Sequence, residues 1–201
     1  GNDHLVGGAG DDLIFGDALN TTWIAGYETT APSFQVLVSH LTDVNGGTAP
    51  SQSQLFSVIE NNALALGASV PNSGGNDLLE GGSGNDWLFA QGGDDLLIGG
   101  IGDDQLFGGT GADTFVWNSA DRGSGSHDVV RDFNMADGDA LDLSSLLVGV
   151  VDHSSAAELS AYLSFAPSGS DTQINISSTG QVADPGSIDQ TVTLANVTLS
   201  G

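Results

Sequence analysis

Aspartates at a fixed spacing are the residues of this sequence best suited to do chemistry. A nine-residue pattern, GGxGxDxUx with U a large apolar residue, recurs four times without a break, at 81–89, 90–98, 99–107 and 108–116, with Ala90 and Gln91 in place of the two leading glycines of the second copy. The same register also holds in 7–15, in 1–6 and in the stretch that ends at residue 80. The sixth place of the pattern is always an aspartate: Asp3, Asp12, Asp77, Asp86, Asp95, Asp104 and Asp113.

The pattern supplies the ligand atoms of a calcium site. Glycines at the first, second and fourth places permit positive φ, which turns carbonyl oxygens inward. Ca²⁺ accepts roughly 6–8 oxygens at flexible angles, whereas Mg²⁺ requires a tighter octahedron and softer metals prefer nitrogen or sulfur. We therefore predict calcium ligation by the seven aspartates and by the turns around these glycines: Gly8, Gly10, Gly75, Gly82, Gly84, Gly93, Gly100, Gly102, Gly109 and Gly111.

The last three residues of each copy must position these turns. They read as a short strand whose middle residue, as in Leu88, Leu97 and Leu106, faces inward. One repeat cannot bury that face alone, so the copies must stack into a solenoid. A flexible glycine-rich linker has no reason to place a large apolar residue at every eighth position. The sequence predicts a mainly β fold, a parallel β-roll.

These nonapeptides resemble those of the RTX (repeats-in-toxin) family of bacterial secreted proteins, which implies a roll with calcium between successive turns on each edge. Alternate turns would then share an edge, with Asp12, Asp86 and Asp104 on one side. One ion between neighbouring turns gives about five Ca²⁺ or more. The fifth-place side chains are expected to be mainly solvated: Asp11, Asn76, Asn85, Asp94 and Asp103.

An insertion interrupts one repeat. Gly16 and Asp17 suit its first two places, and the register resumes at Gly75. The expected divisions are first turns, insertion, roll and β-rich cap, at 1–17, 18–74, 75–116 and 117–201. The two flanking stretches should be neighbours in the stack.

Within the insertion, 34–41 reads as a strand and 51–66 as a helix, with a capping box of Ser51 and Gln54. We predict that this helix covers an apolar stripe on the outer face of the roll. The stripe consists of Leu13, Phe15, Trp87, Phe89 and Phe107. The rival interpretation is a ligand-binding insert that uses Trp23, Tyr27 and His40.

After residue 116 the nine-residue period stops and apolar residues alternate with polar ones. Strands are predicted at 128–134, 140–147, 172–177 and 190–199, and a short helix at 156–165. A roll needs an atypical terminal unit to close its end, and this segment suits that role. A further cation is the alternative to solvated loop carboxylates for a second acidic group: Asp128, Asp132, Asp137, Asp139 and Asp142.

The charge balance excludes several functions. The chain has 26 acidic residues, two basic ones and no cysteine, for a net charge of −24. This disfavours nucleic acid and anionic membranes as partners. No apolar run approaches the roughly 20 residues of a membrane span.

No HExxH, GxSxG or cysteine nucleophile is present, so we expect no catalytic residue and no enzyme. We expect a monomer and, since the first residues already lie in a repeat, a piece of a longer protein.

The segment from residue 111 to 147 (GADTFVW, then DVVRDFNMADGDALDLSSLL) resembles the C-terminal type I secretion target region of very large RTX adhesins. This implies a secreted or cell-surface protein, the type I secretion machinery as partner, and a parent protein active in cell adhesion and biofilms. Calcium-coupled folding outside the cell would promote export. Two alternatives stay open: the C-terminal module of a secreted RTX enzyme such as a protease or lipase, and a sugar- or peptide-binding module.

Overall fold

Two sheets form the body of the molecule. The computed structural model describes residues 2–17, 45–51, 54, 57–59, 61–62, 74–121, 125–147 and 156–198. One sheet has the order β1-β3-β5-β7-β9 and the other β10-β11-β12-β8-β6-β4-β2. The first is built from β1 (His4–Ala9), β3 (Leu78–Ser83), β5 (Leu96–Ile101), β7 (Thr114–Val116) and β9 (Ala140–Asp142). The second is built from β2 (Leu13–Phe15), β4 (Trp87–Phe89), β6 (Gln105–Phe107), β8 (Ser126–Val130), β10 (Leu163–Ser168), β11 (Asp171–Ile176) and β12 (Gln190–Leu194).

The predicted parallel β-roll is confirmed. Strands β1 to β9 pair in parallel within each sheet, and alternate repeats share a sheet. The eighth-place residues of the last five copies are fully buried between the sheets: Leu79, Leu88, Leu97, Leu106 and Phe115. Because every strand contributes one such residue at the same height, each repeat extends one continuous apolar core.

The roll continues unbroken across the insertion. Strand β1 pairs with β3 in the register His4↔Leu78, and β2 pairs with β4 in the register Leu13↔Trp87. The stretches that flank the insertion are therefore neighbours in the stack, as the register predicts.

The two sheets of the roll continue beyond residue 116, where the nine-residue period stops. Strands β8 and β9 extend both sheets of the roll in parallel. Beyond them, β10, β11 and β12 form an antiparallel unit that joins the roll through β8. The short helix is Ala156–Tyr162, not 156–165, because Leu163 already begins β10. The strand predicted at 140–147 ends at Asp142, where a turn follows.

The described part of the insertion includes helical residues between 54 and 62. Its capping box is present: the Ser51 backbone N–H donates to Gln54 Oε1 at 2.9 Å, and the Gln54 N–H donates to Ser51 Oγ at 3.3 Å. Ile59, on this helix, is fully buried. The predicted strand 34–41 and Trp23, Tyr27 and His40 lie outside the described residues. None of the described helices is long and apolar enough to cross a membrane.

The apolar stripe on the outer face of the roll is buried at two of its residues and half-buried at Leu13, Phe15 and Trp87. Phe89 and Phe107 are 0% and 1% exposed, and their rings stack with centroids 4.5 Å apart. Phe15 stacks on Phe89 at 4.9 Å. Neither Phe89 nor Phe107 belongs to the core between the sheets. That the insertion helix covers them stays a prediction.

Candidate metal centre

The sixth-place aspartates form a hydrogen-bonded ladder along each edge of the roll. The backbone N–H of each aspartate donates to Oδ1 of the sixth-place aspartate in the next turn on the same edge. On one edge the links are Asp12 to Asp86 (2.7 Å), Asp86 to Asp104 (2.9 Å) and Asp104 to Asp128 (3.0 Å). On the other they are Asp3 to Asp77 (2.7 Å), Asp77 to Asp95 (2.8 Å), Asp95 to Asp113 (3.0 Å) and Asp113 to Asp139 (3.1 Å).

The second oxygen of most of these carboxylates has no protein partner. Seven Oδ2 atoms in the described part of the chain are buried and accept no hydrogen bond, on Asp12, Asp17, Asp77, Asp86, Asp95, Asp104 and Asp113. A buried carboxylate oxygen left unpaired costs free energy, so such a row requires a cation. A calcium site must therefore account for this row of unpartnered Oδ2 atoms.

Glycines bring carbonyl oxygens to the same places. At the second and fourth places other than Asp17 and Gly75, the backbone has positive φ, for example 111° at Gly82 and 132° at Gly84. The first-place glycines do not share that conformation, contrary to expectation. They are needed for space instead: a Cβ on Gly7 would lie 2.6 Å from the Gly81 carbonyl oxygen and 2.7 Å from Asp12 Oδ2. Carbonyl and carboxylate oxygens thus converge beside Gly7, Gly16 and Gly81.

The fifth-place side chains are ordered by a second ladder, although they are exposed. Here the direction is reversed: the backbone N–H of one turn donates to Oδ1 of the preceding turn on its edge. The bonds run from Asn85 to Asp11, Asp94 to Asn76, Asp103 to Asn85 and Ala112 to Asp94, at 2.8–3.0 Å. The side chains are thus exposed, as expected, and in addition one oxygen of Asp11, Asn76, Asn85 and Asp94 accepts a backbone hydrogen bond.

Burial makes the sixth-place carboxyls reluctant to ionise. It raises the pKa of Asp95 to about 6 and those of Asp104 and Asp113 to about 7, against the ordinary 3.8. The N–H from the neighbouring turn partly offsets this, while the adjacent carboxylate on the same edge raises the pKa further. A bound cation would remove this penalty because it neutralises the carboxylates in place of protons.

The two C-terminal turns hold Asp128 and Asp139 at the same ladder position, but there the second oxygen is partnered. Asp128 Oδ2 accepts from Trp117 Nε1 at 2.6 Å and from Gln190 Nε2 at 2.7 Å. Asp139 Oδ2 accepts from the Asn134 N–H at 2.8 Å. Burial raises the pKa of Asp128 to about 8.

The remaining acidic residues predicted near this end are dispersed. Asp132 accepts from the backbone N–H groups of Gly108 and Gly109, each at 3.0 Å. Asp137 accepts from Asn134 Nδ2, and Asp142 accepts from the Ser144 N–H. A further ion among these five residues stays a prediction.

Asp17, which lies outside the two ladders, is an edge carboxylate that the repeat pattern does not mark as a site residue. A Cβ on Gly16 would lie 2.5 Å from Asp77 Oδ2 and 2.9 Å from the Ala90 carbonyl oxygen, the surroundings typical of a first-place glycine. Asp17 therefore occupies the second place of a turn that Asp77 completes beyond the insertion. The register at Gly16 was the available signal.

The residues fit calcium better than a metal that is bound by side chains alone. Within the described ranges, no three acidic or histidine side chains form a ready-made metal cage. Carbonyl oxygens must therefore provide much of any coordination shell, which is characteristic of Ca²⁺ among the common biological cations.

Comparison with known proteins agrees with this chemistry. The family model of the RTX calcium-binding nonapeptide repeat matches four copies, over residues 1–22, 72–106 and 80–115. Among solved structures, the chain is similar to the AlgE6R3 subunit of the Azotobacter vinelandii mannuronan C5-epimerase. The identity is 26%, the TM-score is 0.41, and the match covers 63% of this chain and 75% of that one. No curated protein matches the chain.

The fold and the edge ladders define a calcium-binding parallel β-roll. The chain carries RTX calcium-binding nonapeptide repeats, and these repeats bind Ca²⁺. Repeats of this kind are typically structural modules, and proteins that carry them are generally secreted.

Proposed function

We propose that this chain is a calcium-dependent folding module at the C-terminal end of a secreted bacterial RTX adhesin. The observation that carries the proposal is the row of seven buried, unpartnered Oδ2 atoms along the two edges. Without cations these oxygens and the net charge of −24 oppose the compact state. With cations they stabilise it, so folding and metal binding form one equilibrium.

In this proposal each ion lies between two successive turns of one edge. Sixth-place carboxylates such as Asp86 and Asp104 bind it together with carbonyl oxygens of the glycine turns. The predicted seven aspartates and ten glycines then hold about five ions or more. Calcium supplies the positive charge, while the ladder of N–H to Oδ1 bonds keeps each carboxylate aimed at the space between turns.

The secretion role follows from the expected difference in calcium across the cell envelope. A chain this acidic stays unfolded and threadable where calcium is scarce. Extracellular calcium-binding modules work at about 10⁻⁴–10⁻³ M. Folding of the emerging chain would then prevent its return through the type I channel and favour export to the cell surface.

A calcium titration followed by far-UV circular dichroism and by hydrodynamic radius tests the proposal, with magnesium as the matched control. We expect a cooperative gain of β structure and compaction at submillimolar to millimolar calcium, and no such gain with magnesium. A chain already compact in chelator would contradict the proposal, because folding would then owe nothing to the ion.

We also propose that the helix of the insertion shields the outer aromatic stripe. Its support is the joint burial of Ile59 on the helix and of Phe89 and Phe107 on the roll. Replacing Ile59 with Asp should expose the stripe to a hydrophobic dye in the presence of calcium. Asn61→Asp, at an exposed position of the same helix, is the control. Equal dye binding by both variants and the parent chain would contradict this packing.

A further inference from the structure

We propose that Asp17 and Asp77 bind one calcium ion together, so that this ion fastens the two ends of the insertion together. The inference deepens the proposed function and depends on its assignment of calcium to the edge ladders. It concerns a residue outside the repeat pattern, since the other described second places are occupied by glycine or by Gln91.

The first support is the position of Gly16 and Asp17 in the stack. Gly16 donates its backbone N–H to the Phe89 carbonyl oxygen at 2.9 Å, which fixes it in the stack beside the turn that starts at Ala90. Asp77 Oδ2 lies next to Gly16 although the two residues are on opposite sides of the insertion. The backbone N–H of Asp17 donates to Gln91 Oε1 at 3.1 Å, which holds Asp17 on the same edge.

The second support is the state of the carboxylates. Asp77 and Asp95 are 3% and 2% exposed, and each has a buried Oδ2 without a partner. Asp17 also has a buried, unpartnered Oδ2, although its side chain as a whole is half-buried.

The consequence concerns the insertion. Asp17 is the last described residue before the insertion, and Asp77 lies at the point where the roll resumes. An ion bound by both aspartates closes this long loop at its base, which lowers the conformational entropy of the open chain in the same way as a cross-link. More negative ligands also strengthen a calcium site. This ion should therefore bind more tightly than those that lack an equivalent of Asp17.

The test compares Asp17→Asn with Asp94→Asn in the full chain. Both variants remove one negative charge from the same edge, but Asp94 occupies a fifth place where asparagine occurs naturally, as at Asn76. Isothermal titration calorimetry with calcium measures the number and affinity of sites, and limited proteolysis in calcium measures how firmly 18–74 is held. A third variant, Asp17→Gly, installs the residue found at most other second places and so avoids misfolding as an explanation.

We expect Asp17→Asn and Asp17→Gly to weaken one site by about ten- to hundredfold and to accelerate cleavage within 18–74, while Asp94→Asn changes neither property. Identical titrations for all three variants and the parent chain would overturn the inference, with calcium-coupled folding intact. Failure of the parent chain to bind calcium would instead overturn the proposed function itself.

Discussion

The repeat turns and the two C-terminal turns place the same carboxylate at the same position but satisfy it differently. In the repeats, Asp86 and Asp104 offer Oδ1 to a backbone N–H and leave a buried Oδ2 unpartnered. In the C-terminal turns, Asp128 and Asp139 keep the Oδ1 bond, and protein donors occupy Oδ2. One backbone geometry therefore serves either a cation or a set of hydrogen-bond donors.

The difference also separates what calcium must do from what the chain does alone. The antiparallel unit of β10, β11 and β12 is held by backbone hydrogen bonds between its strands and contributes Ile174, Ile176 and Val192 to the core. It extends one of the two sheets of the roll beyond β8. The repeats should therefore depend on calcium more strongly than this C-terminal unit.

The largest effect should come from Gly102→Ala, which attacks the stacking of the repeat turns. A Cβ at Gly102, where φ is 137°, would collide with the backbone carbonyl of Gly84 in the adjacent turn. We expect a loss of roughly 3 kcal/mol or more in the free energy of unfolding at saturating calcium, measured by urea denaturation.

Gly169→Ala is the matched control for that variant. Gly169 also has positive φ, 69°, but no atom lies within 4 Å of an added Cβ. Its cost should be about 1–2 kcal/mol, from backbone strain alone. Equal costs at the two glycines would show that close stacking of the turns does not contribute.

Asp104→Asn should come next, because it removes a charge that two neighbouring ions share while keeping a side-chain oxygen for the ladder. We expect the calcium midpoint of folding to rise about ten- to hundredfold. Asp103→Asn is the control, since its Oδ1 bond to the His127 N–H can persist. An unchanged midpoint in Asp104→Asn would remove Asp104 from the set of ligands.

Trp117→Phe should have a smaller effect of a different kind. It removes one donor to Asp128 Oδ2, so we expect a loss of about 1–2 kcal/mol at saturating calcium, measured by urea denaturation. Gln190→Met, which removes the other donor, should behave alike. A calcium midpoint that moves while the stability at saturation does not would mean that Asp128 belongs with the cation ligands.

The smallest expected effect is that of pH on calcium affinity. Folded-state pKa values of about 7 at Asp104 and Asp113, above the ordinary 3.8, mean that the metal-free fold binds protons more tightly than the unfolded chain. The stability that these two carboxyls contribute to the metal-free fold is therefore present below about pH 4 and is lost as the pH rises through about 7. Calcium must displace these protons, so its midpoint should rise several-fold from pH 8 to pH 6. A midpoint independent of pH would contradict this competition.

Much of this architecture was accessible from the sequence because each feature has a short-range cause. A strict period of nine fixes the parallel strands, the inward position of Leu88 and its equivalents, and the assignment of aspartates to two edges. The interrupted repeat was also readable, since Gly16 and Gly75 keep their places in the pattern. Ser51 and Gln54 indicated a helix start that the structure contains.

Other features escaped because their causes are long-range. Asp128 and Asp139 follow their ladder partners by 24 and 26 residues instead of 18, so the period conceals them. The fifth-place ladder depends on the distance between turns, which no single repeat encodes. Asp17 stands where glycine is usual, and only the stack brings it beside Asp77. Strand β10 was missed because Leu163 and Phe165 also suit a helical pattern.

Hydrogen–deuterium exchange with and without chelator, resolved to segments, tests the central claim most directly. We predict that the amides of Asp77, Asp86, Asp95 and Asp104, which form the ladders, are protected in calcium and exchange rapidly in chelator. We also predict that the amides of β11 and β12 retain more of their protection. Persistent protection of the ladder amides in chelator would contradict the claim that calcium holds the roll together.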